Sequence, residues 1–570
     1  MMRVRHRTAR VSVGAMTLLA LTARAAAGGP ADPSGWFPDR PVAEFEHDDD
    51  DVPRPPKSND LHDLDVTLIV RDGLANEVDR ALALEGRPPA QDINAADEVP
   101  CSTWFCARNH LHPMTPAEVA AAPPGGAPVL PLTIIKGKDE GGSTGFQIAD
   151  ARGYGFMLKM DPVGHLALAT GGEMIGHRVF HAAGYDVPGA FLLDITPQDL
   201  ILDPRATFKL NGVATRPLTG ARVTQLLKNA ARLADGRIRA VAVPWIAGQI
   251  IGGFDLIGRR SDDPNDRIPH QNRRSLRASW MLFAWLSVKD PSAINTIDSY
   301  VAQDGRHFVR HYHIDFDHSF GSVMWHVDSP HPDGEYPLEL GNSLRALATL
   351  GMYHRPFENS AEVQRLTLLH PSIGYFPAEG FDPESFRGNR KLPTHLRMTD
   401  RDAYWGAKLV TSFTDAQIGA LVATARLTEA DASYIEHALR VRRDIIGRRY
   451  LRAMTAVEEP EVSEVSGTGL RVCFRDLVVE RGYAPPAGLR YQIAVGDGWG
   501  RTLAVSEQPA LSARTCVPAG DPGPGTGYRV IAVTSRPNGA GESANKTTRV
   551  HLRWREREQR FVVVGLERDE

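Results

Sequence analysis

The sequence predicts an α+β protein, because three regions differ in hydrophobic pattern. Between residues 129 and 161, short apolar runs separated by glycine-rich turns predict β-strands. Residues 340–455 repeat apolar positions at the helical period, and residues 461–570 return to short apolar runs broken by Gly and Pro. The chain has 570 residues and is 42% hydrophobic, which allows two to four domains with ample core material.

The first 27 residues have the pattern of a secretory signal peptide. Four arginines between residues 3 and 10 precede the apolar segment VSVGAMTLLALTA, and small residues follow near Ala25 and Ala27. The apolar segment is short for a transmembrane helix, and no other segment reaches eighteen apolar residues. We therefore expect an exported chain, periplasmic or extracellular after cleavage, with no transmembrane segment. The alternative is a disordered basic tail.

Charge and cysteine content restrict the partners and the compartment. Residues 1–27 contain five arginines and no acidic residue, so their removal moves the formal net charge from −4 to −9, which argues against nucleic acid. The cysteines are Cys101, Cys106, Cys473 and Cys516, and an even number in an exported chain suggests disulfides. Pairing within each segment, 101 with 106 and 473 with 516, is the natural expectation.

Residues 28–128 are expected to form an N-terminal extension and a linker. Residues 28–60 are rich in Pro and Asp and are expected to be extended and solvated. The next part contains one short apolar run, DVTLIV, and is expected to pack on the following domain. AAAPPGGAP, at 120–128, has the composition of a linker.

Strands and helices follow one another from residue 129. VLPLTIIKG, FQIAD and YGFMLKMD predict three strands, with the glycine-rich turn KDEGGSTG between the first two. Residues 166–183 predict a helix that ends at Gly184. Two more predicted strands, AFLLDIT and IRAVAVPWI, flank a helix near GARVTQLLKNAARLA. Residues 272–288 predict a strongly apolar helix.

The last third of the chain divides into a helical part and a β part. TDAQIGALVATARL predicts a helix capped by its leading Thr, and residues 430–454 predict a long amphipathic helix. Six short runs after residue 461 fit a β-sandwich of about 110 residues.

Six polar residues between 159 and 317 are not explained by the core pattern. In chain order they are Lys159, Glu173, Asp290, Asn295, Asp315 and Asp317. The last two follow a strand-like apolar run in HYHIDFDHSFGS, where carboxylates are costly unless a positive charge lies opposite them. A divalent metal ion is the obvious candidate.

Phosphoryl transfer requires a set of this kind. A glycine loop approaches the phosphates, a Lys neutralises them, an acid on a helix holds that Lys, and a carboxylate orients the acceptor hydroxyl. An Asn and an Asp hold the metal. The order glycine turn, Lys, Glu, D-x-x-x-x-N and D-x-D along this chain is the order found in protein kinases.

On these residues, the stretch 129–322 resembles the protein-kinase-like fold. It is most similar to the atypical bacterial branch that includes the spore-coat kinases, which end the metal strand in D-x-D-x-x-F-G; the phosphoinositide kinases carry a related HIDFG. Asp315, Asp317, Phe320 and Gly321 match that pattern. The resemblance implies a two-lobed kinase-like domain over 129–455, with a small β-rich N-lobe and a helical C-lobe.

The resemblance also implies a role for each polar residue. Lys159 would bind the phosphates of ATP and pair with Glu173, and Asp290 would be the catalytic base. Asn295 and Asp315 would hold Mg²⁺ or Mn²⁺, with Asp317 as a further ligand. The nucleotide loop would be formed by the glycines at the turn, which are Gly141, Gly142 and Gly145.

Three features depart from typical protein kinases. The catalytic loop VKDPSAIN has Val288 and Lys289 where His and Arg are usual, GGSTG is not GxGxxG, and no A-P-E follows. These departures argue against a conventional activation segment and against peptide recognition of the usual type. Residues 95–455 also resemble exported bacterial proteins of unassigned function, through SDDPNDRIPHQNRRSLRASWMLFAWLSVKDPSAINT and RRDIIGRRYL.

Two functions from different classes fit this sequence. The first is an exported enzyme that transfers a phosphoryl or nucleotidyl group from Mg-ATP to a hydroxyl of a protein or glycan. Extracytoplasmic space holds little ATP, so such an enzyme would act where nucleotide is supplied or would use another phosphorylated donor. The second is a non-catalytic envelope or surface binding protein, a pseudokinase whose Asp pair holds a structural cation. Convergence of the polar residues on one cleft is what the first function requires.

Overall fold

The computed structural model describes residues 37–59, 87–137, 144–210, 214–322, 336, 340–353, 369–465, 469–520, 527–538 and 544–570. Within these ranges the fold is a mixture of α-helices and β-sheets, as the sequence predicts. The predicted signal peptide, the run DVTLIV and most of the glycine-rich turn lie outside the described residues.

The helices and strands of the described ranges are numbered in chain order. The α-helices are α1 (Pro116–Ala120), α2 (Leu168–Ala183), α3 (Gly220–Lys228), α4 (Arg274–Leu286), α5 (Leu340–Ala348), α6 (Pro393–Leu396), α7 (Asp400–Thr411), α8 (Asp415–Thr424), α9 (Glu429–Ile446) and α10 (Leu477–Glu480). The first ten strands are β1 (Leu132–Gly137), β2 (Gly145–Ala149), β3 (Gly155–Met160), β4 (Phe191–Ile195), β5 (Leu200–Leu210), β6 (Ala214–Pro217), β7 (Ile238–Pro244), β8 (Gln249–Ile250), β9 (Thr296–Gln303) and β10 (Arg306–His313). The remaining strands are β11 (Val457–Val465), β12 (Gly469–Asp476), β13 (Leu489–Asp497), β14 (Thr502–Pro509), β15 (Arg514–Gly520), β16 (Tyr528–Pro537), β17 (Thr548–Arg555) and β18 (Arg560–Arg568).

A seven-stranded sheet contains the three strands predicted from residue 129 onward. Its order is β4-β7-β3-β2-β1-β5-β6, and β1 and β5 form its parallel pair. Strand β5 was not predicted, because its sequence LILDPRATFKL contains Asp and Pro. The pairing of β1 with β5 shifts register between Leu202 and Thr207, so Pro204 lies in a bulge where its missing N–H breaks no ladder bond.

This sheet separates two apolar cores. Leu158 and Met160 on β3 belong to the core that also contains Val223 and Leu227 of α3. Because side chains alternate along a strand, Lys159 points to the other side of the sheet. That side is covered by α2, whose Val179 belongs to the larger core shared with the helices and the C-terminal sheets.

The strand before Asp315 is one half of a β-hairpin, and the other half was not predicted from the sequence. Strand β10 ends at His313 and pairs antiparallel with β9, which the polar sequence TIDSYVAQ did not reveal. The first residue of β9 lies opposite the last residue of β10. The open end of this hairpin therefore brings the residues just before β9 close to the residues just after β10. The N–H of Ile314 donates to the carbonyl of Asn295 at 3.1 Å.

The helical region agrees with its main predictions and differs in detail. Thr414 caps α8 by accepting from the N–H of Gln417, as the sequence predicts. The long amphipathic helix is α9, which continues into a π-helical turn over Gly447–Leu451. Most of residues 370–392 are non-helical coil, where a continuous helical region was expected.

Part of the acidic N-terminal segment packs on the fold, whereas most of residues 37–59 are exposed, as expected of a solvated segment. The carboxylate of buried Asp48 accepts from the hydroxyl of Thr103 at 2.7 Å. Asp49 pairs with Arg306 at 2.8 Å, and its neighbour at position 50 pairs with Arg267 at 2.9 Å. The acid run is thus neutralised by arginines more than 200 residues away along the chain.

The C-terminal region contains two antiparallel sheets, with strand orders β11-β12-β15 and β14-β13-β16-β17-β18. The disulfide Cys473–Cys516 joins directly opposed residues of β12 and β15, and Cys101–Cys106 closes a short loop. Both predicted pairings are confirmed, and disulfides are typical of exported proteins. No helix among the described residues is long and apolar enough to cross a membrane.

Candidate functional site

Lys159 is the centre of a buried ion cluster. Its ammonium donates to Glu173 and to Asp315, the latter at 2.6 Å, and lies 3.3 Å from a carboxylate oxygen of Asp317. Burial alone would lower the pKa of Lys159, but the charges of the three carboxylates raise it well above its ordinary value. The side chain is therefore a permanent cation facing Asp315, the most exposed member of the cluster at 29%.

Glu173 is fully buried on α2 and holds Lys159 with one of its oxygens. Its other oxygen lies 2.6 Å from Nε2 of His177, one helical turn further along. Nδ1 of that ring lies 2.8 Å from the carbonyl of Pro188, which can only accept, so Nδ1 is the donor there. Burial would raise the pKa of Glu173, but Lys159 and His177 more than offset burial and lower it.

The start of α2 is tied to the strand that carries Lys159. Asp161 follows β3 directly and accepts from the backbone N–H groups of Ala167, Ala169 and Thr170 at 2.8–2.9 Å. These N–H groups have no partner within the helix, so a buried carboxylate placed there satisfies them and interacts with the helix dipole. The Lys159–Glu173 contact is thus positioned by a second contact a few residues away.

Two glycines allow α2 to touch the segment of Asp315 and Asp317. A Cβ atom added to Gly172 would lie 2.6 Å from the carbonyl oxygen of Phe316, and one added to Gly176 would lie 2.5 Å from its Cβ. Neither glycine was predicted to matter from the sequence. Their spacing of four residues, which places both on one helix face, is the signal that could have found them.

Asp290 and Asn295 form the second half of the site. The side-chain amide nitrogen of Asn295 donates to the carbonyl of Asp290 at 2.7 Å and to its carboxylate at 3.1 Å. An amide offers both N–H donors and a carbonyl acceptor, so the oxygen of Asn295 is left as a ligand atom. The pKa of Asp290 is raised, mainly because the side chain is buried. The charge of Asp315 also raises this pKa, whereas His318 and Arg390 lower it.

The turn after Asp315 is fixed against the loop of Asp290. The N–H of Phe320 donates to the carbonyl of Leu286 at 2.7 Å, and the N–H of Lys289 donates to the carbonyl of His318 at 2.9 Å. Gly321 has φ +70°, and a Cβ there would lie 1.9 Å from a backbone oxygen. Only glycine fits that position, which explains the Phe-Gly end of the motif.

The predicted polar residues therefore lie together. Lys159, Glu173, Asp315 and Asp317 are in direct contact, and Asp290 and Asn295 adjoin them through the hairpin end and the turn. Gly145 lies opposite Lys159 in the β2–β3 ladder, so the glycine-rich turn ends beside the Lys. Gly141 and Gly142 lie outside the described residues.

No family model, no curated protein and no solved structure matches the chain. The chemistry of the site follows from its side chains alone.

The donor set fits a hard divalent cation. Glu173, Asp315 and Asp317 each place a carboxylate oxygen within 4.8 Å of the others, and oxygen ligands are those that Mg²⁺ and Mn²⁺ prefer. Glu173 is already committed to Lys159 and His177. Asp315 and Asp317, with the oxygen of Asn295, are therefore the residues that would hold the metal.

Sequence reasoning missed several neighbours of the predicted residues. His177 holds Glu173, and Arg390 lowers the pKa of Asp290. His177 is four residues after Glu173 on the same helix, a spacing that could have identified it. Arg390 is 100 residues from Asp290, and no local pattern indicates that contact.

Proposed function

We propose that this chain is an exported kinase-like protein that transfers a phosphoryl or nucleotidyl group from Mg-ATP to a hydroxyl of a protein or glycan. In this proposal residues 129–455 form a two-lobed kinase-like domain, and residues 461–570 form a β-sandwich. The observation that carries it is the ion pair of Lys159 with Glu173, which faces Asp315 beside the Asp290–Asn295 pair.

Each side chain then has a task that its surroundings suit. Lys159 neutralises phosphate oxygens and is oriented by Glu173, so little side-chain freedom is lost when phosphate binds. Asp290 accepts the proton of the acceptor hydroxyl, and its raised pKa brings it nearer to the value at which a general base is effective. Asp315, Asp317 and Asn295 hold the metal, which supplies positive charge to the reacting phosphate when bound.

A second function is favoured by one specific observation. The ammonium of Lys159 is in contact with three carboxylates, so its own positive charge is satisfied without a phosphate ligand. A buried ion cluster of this kind also serves as a purely structural device. The alternative is therefore a non-catalytic envelope or surface binding protein whose kinase-like site is structural or holds only a cation.

Thermal unfolding distinguishes the two functions. The chain is heated with Mg²⁺ or Mn²⁺, with and without ATP, beside the Asp315→Ala variant. A ligand that binds only the native state at a hundredfold excess over its Kd adds about 2.7 kcal/mol to stability. The proposal predicts a nucleotide shift that needs the metal and disappears in Asp315→Ala.

Asp444→Ala is the matched control for this experiment. Asp444 is also ion-paired, to Arg443 at 2.9 Å, and its side chain is 31% exposed against 29% for Asp315. It lies on α9 and should leave the nucleotide shift intact. A wild-type chain that is folded but shows no nucleotide shift would contradict the enzyme proposal. A shift with metal alone would support the structural cation.

A further inference from the structure

Residues 386–397, a stretch of coil that ends in α6, pack against the loop of Asp290. The N–H of Asn389 donates to the carbonyl of Lys289 at 2.6 Å. A Cβ added to Gly388 would lie 2.9 Å from Pro291, the residue after Asp290. This stretch, called the basic segment below, is therefore held in close contact with the loop that carries the proposed base.

The basic segment has the sequence FRGNRKLPTHLR. It contains Arg387, Arg390, Lys391 and Arg397 and no acidic residue. All four of these residues are half-buried, so part of each is open to solvent. The chain after residue 27 has a formal net charge of −9, so the segment is a positive region of an acidic protein.

The positive charge of the segment reaches Asp290. Arg390 is near enough to lower the pKa of Asp290, against the larger effect of burial. Lys289 directly precedes Asp290, and its Nζ lies 5.4 Å from the centre of the Phe386 ring at the start of the segment. A hydroxyl compound that approaches Asp290 therefore meets a positive surface.

The acidic residues that flank the segment contact other parts of the fold. Glu384 accepts from Nε of Arg449 at 2.8 Å, and Asp400 pairs with Lys546. The carboxylate of Asp382 accepts from the N–H of Glu384 at 3.0 Å. These three carboxylates are therefore held by groups outside the segment.

We propose that the acceptor is an anionic glycan, whose carboxylate or phosphate groups bind the basic segment while one of its hydroxyls faces Asp290. Guanidinium groups bind the oxygens of carboxylates and phosphates in pairs, and lysine adds a point charge. This inference rests on the proposed function, in which Asp290 is the base.

A glycan is favoured over an acidic peptide by the sequence that surrounds the site. The A-P-E that ends the usual peptide-binding segment of protein kinases is absent after Asp315. A charged polysaccharide also repeats its anions along its length, which matches cations that are spread along a coil. Opposite charge on the two partners would in addition speed their association.

Glycan binding without nucleotide is the first test. The chain is titrated with polygalacturonate, which carries carboxylates, with phosphorylated dextran, and with plain dextran as the neutral control. At least one charged glycan should bind about tenfold more tightly than dextran, with an affinity that falls as salt is added. Equal binding of all three glycans overturns the proposal. Poly-glutamate that binds more tightly than either charged glycan assigns the surface to an acidic protein and also overturns it.

The variant Arg390→Gln/Lys391→Gln tests the location. Loss of the two cations should weaken charged-glycan binding about tenfold and make its salt dependence shallower. Arg205→Gln/Arg237→Gln is the matched control, because it removes the same charge from side chains that are 91% and 45% exposed elsewhere. Equal losses in the two double variants would show non-specific attraction and overturn the site.

Arg397→Gln is a second variant, at the far end of the segment from the contact with Pro291. It should also weaken charged-glycan binding, by a smaller factor than the double variant. If the double variant does not fold, this substitution decides the test. Unchanged affinity in Arg397→Gln would then overturn the proposal.

The phosphates of the donor have the same chemistry as an anionic acceptor, and the nucleotide shift separates the two. Arg390→Gln/Lys391→Gln should keep the metal-dependent thermal shift with ATP. A shift that is lost in this variant assigns the cations to the donor and overturns the proposal. Charged-glycan binding by a chain without any nucleotide shift supports the glycan ligand and contradicts the enzyme. A nucleotide shift without glycan binding does the reverse, so the two proposals fail separately.

Discussion

Gly176 of α2 lies directly against Phe316, with space for a hydrogen but not for a methyl group. A Cβ at Gly176 would be 2.5 Å from the Cβ of Phe316, well inside van der Waals contact. The contact joins the helix of Glu173 to the segment between Asp315 and Asp317. The distance between the two halves of the ion cluster is therefore set by the absence of a side chain.

Replacing this glycine tests how strictly that distance is required. Gly176→Ala should lower the free energy of unfolding by about 1–3 kcal/mol, the usual cost of overpacking. Gly171→Ala on the same helix is the control, because its nearest contact is the flexible end of Leu427 at 3.3 Å. Alanine favours a helix by about 1 kcal/mol over glycine, so the control should be neutral or more stable. Equal effects in urea unfolding would show that the contact with Phe316 is not restrictive.

Asp290→Asn should remove the proposed base without a cost in stability at neutral pH. The pKa of Asp290 is raised above 3.8 in the folded chain, so the unfolded state ionises first as the pH rises. The wild type therefore loses stability between pH 3.8 and the folded pKa, and Asn does not. The free energy of unfolding of both proteins is measured from pH 3 to pH 8. The variant should gain stability relative to the wild type as the pH rises from 3.8 to the folded pKa, and the difference should stay constant above it.

Two outcomes would separate charge from packing at this position. Asp290→Ala also removes the acceptor for Asn295, so it should be less stable than Asp290→Asn at every pH. If Asp290→Asn lost stability as the pH rose, Asp290 would be favoured as an anion in the folded state. That result would remove the raised pKa from the argument for a general base.

Lys159→Met should be strongly destabilising, because it leaves buried carboxylates without their shared counter-ion. Breaking a buried ion pair from one side typically costs about 3–5 kcal/mol. The pKa of Glu173 is lowered below 4.5, so the stabilisation from this pair exists above that pH and is lost as the pH falls through the folded pKa. The penalty of Lys159→Met should accordingly shrink in acid, as measured by denaturant unfolding.

The double variant Lys159→Met/Glu173→Gln shows whether the pair acts as a unit. Removing the uncompensated acid should recover part of the lost stability, so the two substitutions should not be additive. Additive losses would mean that Asp315 and Asp317, at 2.6 and 3.3 Å, hold Lys159 without help from Glu173.

The local part of the fold could be predicted from the sequence because short-range patterns determine it. Alternation along β3 separates Lys159 from Leu158 and Met160, and the cap at Thr414 starts α8. The order of the polar residues also predicted which side chains lie together. The first two features depend on neighbours within a few residues, whereas the grouping of Lys159 with Asp315, 156 residues apart, was predicted from the resemblance to protein kinases.

The parts that were missed depend on distant partners. Strand β5 tolerates Pro204 because its bulge faces β1, about seventy residues earlier in the chain. Asp49 is ion-paired with Arg306, more than 200 residues away, although its own sequence context is that of a solvated tail. Hairpin strand β9 is polar on both sides, so its pairing with β10 decides its structure. Such contacts are properties of the assembled fold and leave little trace in one sequence.

The N-terminal extension is expected to be essential for stability through Asp97. This buried carboxylate bonds Arg274 of α4 at 2.8 Å, Arg401 of α7 at 2.7 Å and Arg568 of β18 at 2.5 Å. Asp97→Asn leaves the buried guanidinium groups of Arg274 and Arg568, and the partly exposed one of Arg401, short of one negative charge. It should cost about 3–5 kcal/mol. Asp235→Asn, at an exposed pair with Arg237, should have no measurable effect.

The stability difference between wild type and Asp97→Asn should depend on pH in one direction only. Burial would raise the pKa of Asp97, but the three arginines lower it well below 3.8. The stabilisation is therefore fully present above pH 3.8 and is lost as the pH falls through the folded pKa. Denaturant unfolding should show a constant difference between wild type and Asp97→Asn from neutral pH down to about pH 5, narrowing only in stronger acid. A difference that widened in acid would mean that Asp97 is protonated in the folded chain and that the arginines are neutralised by other groups.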